Sequence, residues 1–101
     1  MKRPVLLRPE AEAELVEAWA WYEAQRAGLG EEFVACFEAV ISIAARAPNA
    51  FPASVGEVRR ALVRRFPYGV FYTLDGESLV VLAVAHARRR PGYWQGRIPD
   101  R

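Results

Sequence analysis

Apolar positions in the first half of the chain recur with a helical period. Leu15, Ala18, Trp19 and Tyr22 sit at the spacing of one buried stripe, which predicts a helix over about residues 9–26. Pro9 suits the first turn, and Glu10, Glu12 and Glu14 complement a positive helix N-terminus. Val5-Leu6-Leu7 precedes it as a short strand, since a residue before proline is pushed towards extended geometry. Gly28-Leu29-Gly30 breaks the helix. Glu31 and Glu32 open a second helix that runs to about Ala47 and is stopped by Pro48. Its stripe is Phe33, Phe37, Val40 and Ala44, widened by Val34, Ile41 and Ala45. So short a link makes the two helices an antiparallel αα-hairpin. Trp21 lies off the first stripe, yet Trp19, Trp21 and Tyr22 together read as core and hairpin packing.

The second half changes period. Residues 49–56, with Pro52 and Gly56, read as a loop. Residues 57–65 read as a strand on which Val58, Leu62 and Phe66 share a face with Arg60 and Arg64. Pro67 interrupts it, and residues 68–74 form the next strand. Asp75-Gly76 is a hairpin turn signal. Residues 79–86 are apolar on both faces, as in a strand inside a sheet. From Arg88 the chain is polar, with Pro91, Gly92 and Pro99, and reads as a short strand, a helical turn or a tail. The expected fold is α+β: an N-terminal strand, the αα-hairpin, then a three-strand antiparallel meander in one small sheet. It forms a single domain over residues 1–101. The hairpin should cover one face of the sheet and leave the other partly exposed.

Composition fits a folded protein, with 52% hydrophobic and 26% charged residues. The longest apolar run, Leu79 to Ala85, is seven residues, against the ~20 needed to span a bilayer. No membrane partner and no export signal are expected. A single cysteine, Cys36, allows no internal disulfide and reads as an inert packing residue. Both points favour the cytoplasm. The net charge of +2 hides an asymmetry. Residues 1–58 hold five basic against nine acidic side chains, whereas residues 59–101 hold nine arginines against three acidic side chains. Arginine's planar fork pairs bidentately with phosphate or carboxylate.

Candidate chemistry therefore gathers in the second half. Arg59, Arg60, Arg64 and Arg65 read as alternating along one strand, either as contacts to an anionic partner or as a solvated face with stems packed over aromatics. Tyr72 lies mid-strand, half-buried, beside them. Arg88, Arg89 and Arg90 with Tyr93 and Trp94 form a basic patch with interleaved aromatics, able to stack bases or to fold back on the sheet. His86, the only histidine, is either a general acid or base beside Arg60 and Arg65, or a structural residue closing its strand. His86 and Cys36 are too few for a zinc site, and no phosphate-binding glycine motif is present, so neither metal nor cofactor is expected.

In their order and spacing these residues resemble the RelE/ParE superfamily of toxins from type II toxin–antitoxin (plasmid stabilisation) systems. The similarity runs over nearly the whole chain. It includes Ala13-Glu14-Leu15, Trp21-Tyr22, residues 28–33, Pro48 and Phe51-Pro52. It is strongest in Arg60, Arg65-Phe66-Pro67-Tyr68, Tyr72, residues 81–86, Arg89, Pro91 and Trp94. Phe66-Pro67-Tyr68 and Gly28-Leu29-Gly30 look more like the ParE branch. The resemblance implies growth arrest by action on DNA gyrase, neutralised by a cognate antitoxin. A RelE-like member would instead be a ribosome-dependent mRNA endonuclease, with ribosome and mRNA as partners and His86, Arg60 and Arg65 as its catalytic set. That branch often carries a basic helix, whereas the two helices here hold only Arg26 and Arg46. A third reading is a degenerate member that binds antitoxin without being toxic.

Overall fold

The computed structural model describes residues 2–99. The chain runs β1 (Val5–Leu7), α1 (Pro9–Gln25), α2 (Leu29–Arg46), β2 (Ala53–Val55), β3 (Val58–Leu62), β4 (Tyr68–Asp75) and β5 (Ser78–His86). Short 3-10 turns occupy Pro48–Ala50 and Gln95–Arg97. The strands form one mixed sheet in the order β1-β5-β4-β3-β2. β1 is parallel to β5, and the remaining pairs are antiparallel. The meander expected from the sequence is β3–β5. β2 is an addition, lying where the sequence reads as loop. All its residues are exposed, so no apolar alternation marks it.

Both helices form where the periodicity places them. Phe33, Phe37, Val40, Ile41, Ala44 and Ala45 of α2 are buried, as are Ala11, Ala18 and Tyr22 of α1. The turn between the helices is closed by Glu23, whose carboxylate accepts from Gly28 N (2.9 Å) and Gly30 N (3.0 Å). That carboxylate satisfies otherwise orphaned donors at the start of α2. Trp19 Nε1 donates to Glu31 across the hairpin at 2.9 Å. Trp21 departs from the core reading: it is 60% exposed and touches Tyr22 only edge-on.

β5 is apolar on both faces because both are covered. Leu79, Val81 and Val84 face the helices, whereas Val80, Leu82 and Ala83 join a second cluster with Val58 and Trp94. Consecutive residues share that second face because the pairing jumps from Tyr72↔Val81 to Phe71↔Ala83, leaving Leu82 as an extra residue. Such a bulge re-phases the strand. The outer face is partly open, as expected, at the exposed Arg60 and Leu62, and is covered elsewhere. The C-terminal segment folds over it, and Trp94 is buried to 1% exposure against Phe71, with ring centroids 4.7 Å apart.

An ion pair holds that segment. β1 accompanies β5 only from Leu79 to Val81, and Arg8 N closes the pairing on Val81 O. Beyond that point the edge of β5 would carry orphaned backbone groups, which are costly when buried. Glu14 of α1 accepts from Val84 N (3.0 Å), and Arg97 donates to Leu82 O (3.0 Å). The two side chains also pair bidentately at 2.9 and 3.2 Å, and Tyr93 OH donates to Glu14 at 2.7 Å. Burial, followed by the hydrogen bond and charge of Glu14, pushes the Tyr93 phenol far above its ordinary pKa.

Candidate partner-binding face

β3 ends at Leu62, three residues earlier than its sequence suggests, and a tight turn leads into β4. The turn forms because Phe66 is pulled under the helices, packing against Tyr22 (4.9 Å) and Phe33 (5.1 Å). Tyr68 joins the same cluster 5.0 Å from Phe33. Phe66-Pro67-Tyr68 is therefore a structural anchor. Pro67 O also accepts from Ala87 N at 2.8 Å, tying the turn to the end of β5.

This geometry separates the arginines that the sequence reads as one alternating row. Arg59 lies opposite Tyr72 on the helix side and donates to Phe51 O at 2.6 Å, which fixes the approach to β2. Arg60 lies opposite Phe71 on the outer side and is exposed, its stem running over Gly69. Arg64 and Arg65 are in the turn. Arg65 adopts φ 71° and points to α2, 3.5 Å from Glu32 and 3.8 Å from Cys36 Sγ. Tyr72, expected half-buried, is buried to 1% exposure and donates to Pro48 O at 2.6 Å, so it is no surface contact. Burial raises its pKa.

His86 ends β5. Its Nδ1 accepts from Arg88 N at 3.1 Å, its carbonyl accepts from Arg89 N, and its ring meets the edge of Tyr68 at 5.2 Å. In the neutral form the proton therefore belongs on Nε2. His86 thus nucleates the turn that displays Arg88, Arg89 and Arg90. Arg65 is not brought to it, because that side chain pairs with α2. The three residues of the nuclease reading are not gathered into one constellation.

The outer side carries a groove of about 430 Å³ between the β3–β4 turn and the C-terminal segment. Arg60, Leu62, His86, Arg89, Arg90 and Tyr93 are among the residues along it, and no carboxylate lines it. A second cleft, on the far side of His86 and Arg89, is bounded by Glu17 and the exposed Trp21. Among the described residues Arg60, Arg64, Arg88, Arg89 and Arg90 make no ion pair. The basic half of the chain therefore presents free cations. Leu62, 60% exposed, is a groove residue that the sequence reading did not single out, having only placed it on one strand face with Arg60 and Arg64. The missing signal was the early end of β3.

Residues 5–91 match the family model described as the ParE toxin of the type II toxin–antitoxin system parDE. A solved structure titled as the chromosomal ParDE system from P. aeruginosa superposes with a TM-score of 0.73 at 16% identity, covering 84% of this chain and 96% of that one. At that identity the likeness is one of fold. No curated protein sequence matches.

Proposed function

Because the chain belongs to the ParE toxin family of type II toxin–antitoxin systems, we propose that it arrests growth in the cytoplasm by engaging DNA gyrase, and that a cognate antitoxin neutralises it. The observation carrying this reading is the set of arginines that make no ion pair among the described residues, Arg60, Arg64, Arg88, Arg89 and Arg90. Clustered cations draw an anionic partner and speed its encounter. An antitoxin segment of acidic and apolar residues would cover the same cations and the grooves beside them, folding as it binds. The binding reading is favoured over RNA cleavage by two further facts. His86 is engaged in its own turn, and Arg65 pairs with α2.

Induced expression in a bacterium, followed in parallel for gyrase–DNA cleavage complexes and for mRNA cleavage, tests this. Growth arrest with accumulated cleavage complexes is expected, and His86→Gln should retain it. Codon-positioned mRNA cuts abolished by His86→Gln would replace the proposal with the nuclease reading. Unchanged growth would leave an antitoxin-binding protein without toxicity.

A further inference from the structure

We propose that the cleft between α1 and the end of β5 takes an unpaired base of a single DNA strand, cytosine above all, stacked on Trp21. The choice of DNA rests on the toxin reading above, in which the target acts on DNA, whereas the cleft's fit to an amino-bearing base does not.

Trp21 has no task in the fold. Among the described residues it is the one exposed aromatic, at 60%. Its one ring contact is Tyr22, at 5.1 Å and 87°, an edge-to-face pair that occupies at most one face of the indole. A single exposed aromatic is by itself ordinary; the surroundings of this one are not.

Trp21 borders a cleft of about 350 Å³, also lined by Glu17, Tyr68, His86 and Arg89. Glu17 lies one helical turn before Trp21 and so on the same face. It makes no ion pair among the described residues. After burial and Tyr22, its charge is the third cause that raises the Tyr68 phenol, which places its carboxylate over the cleft. Glu14 is already taken, by Val84 N, Tyr93 OH and Arg97. On the opposite wall the Arg89 guanidinium lies over the Tyr93 ring, 3.8 Å from its centroid. Stacking holds that guanidinium still and leaves its in-plane N–H groups to donate. His86 Nδ1 is taken by Arg88 N, which leaves Nε2–H as a second donor.

These groups select what lies between them. A bare cation would meet Arg89, and a bare anion would meet Glu17. A flat base with an amino group and a phosphate satisfies all three: ring on Trp21, amino group on Glu17, phosphate on Arg89. Carboxylates accept from cytosine N4, whereas thymine offers no amino group. Tyr68, His86 and Arg89 also line the outer groove, so the two cavities adjoin there. Arg90 and Arg60 along that groove would meet the phosphates that follow in a strand, which a free nucleotide lacks.

The full chain is titrated by anisotropy with short fluorescein-labelled oligo(dC), oligo(dT) and the ribo-oligomer of cytosine, and by competition with deoxycytidine monophosphate. Saturable, salt-sensitive binding is expected, about tenfold tighter for oligo(dC) than for oligo(dT). Trp21→Ala should weaken oligo(dC) about tenfold, and Trp21→Phe should keep most of the affinity. Glu17→Ala should erase the preference for oligo(dC). Arg46→Ala, an exposed cation outside both cavities, should change nothing. No saturable binding, equal binding of the two DNA oligomers, or tighter binding of the ribo-oligomer would overturn the proposal. So would a mononucleotide that competes as well as the strand, or an unchanged affinity in Trp21→Ala, which would assign that ring to a protein partner. Expression in parallel separates the cleft from the toxin reading. Growth arrest without oligonucleotide binding overturns the cleft alone, and oligonucleotide binding without growth arrest overturns the toxin reading alone.

Discussion

Gly30 shows how little room separates the two helices. A Cβ built there would lie 2.6 Å from Trp19 O and 2.8 Å from Trp19 Cδ1. One of those neighbours is backbone and cannot swing aside. Gly30→Ala should therefore force the hairpin apart and destabilise the fold by about 1–3 kcal/mol, read as a lower denaturation midpoint at unchanged slope. The sequence marks this glycine as a helix breaker, whereas in the structure it lies inside α2 and serves close packing. His86 and Tyr72 carry the same lesson in reverse. Residue type alone offers His86 as a proton carrier and Tyr72 as a surface contact. Their partners, a backbone N–H two residues on and the carbonyl of Pro48, give both a structural task. Those partners are set by the turn and by the packing of β4, which residue type does not encode.

Among the elements, the C-terminal segment is the one most changed by tertiary structure. It has no periodic apolar pattern, so the sequence leaves it open between strand, turn and tail. Its place depends on a carboxylate some eighty positions away: Glu14 binds Tyr93 and Arg97 at once, with both members of the ion pair largely buried. Removing one partner of such a pair leaves the other charge uncompensated. Glu14→Ala should cost about 3–5 kcal/mol. Limited proteolysis should then cut first near Arg88–Arg90, while far-UV circular dichroism still reports both helices. Equal protection of that segment in wild type and variant would show that Trp94 alone suffices. The helices, by contrast, were legible to within a few residues, because each buries a stripe whose spacing is intrinsic to the α-helix. β2 was not, since an exposed three-residue edge strand has no buried face to imprint a period.

The whole molecule responds to pH through its tyrosines. Tyr22, Tyr68, Tyr72 and Tyr93 all have raised pKa values, with burial the leading cause in each. Folding thus favours the neutral phenol. That stability is fully present below the ordinary phenol pKa of about 10. It is lost as pH climbs from there towards the folded-state values, because the unfolded chain then releases protons first. An ultraviolet titration should show little phenolate near pH 10, followed by a rise that coincides with loss of helical circular dichroism. Independent titration of the tyrosines before any unfolding would contradict the packing described here.

From its sequence alone this protein's two helices, its meander, its basic second half and its family resemblance could all be read. The helices, the meander and the basic half rest on periodicity, turn chemistry or composition, which are properties of neighbouring residues, and the resemblance rests on motifs recognised along the chain. Tertiary structure decided which arginines are free. It sent Arg59 to a loop carbonyl and Arg65 to α2, and left Arg60, Arg89 and Arg90 around an acid-free groove. That sorting depends on where β3 ends, on how Phe66 tucks under the helices, and on the capture of the C-terminal segment by Glu14. All three are contacts between residues distant in sequence, whose free energy no local pattern records.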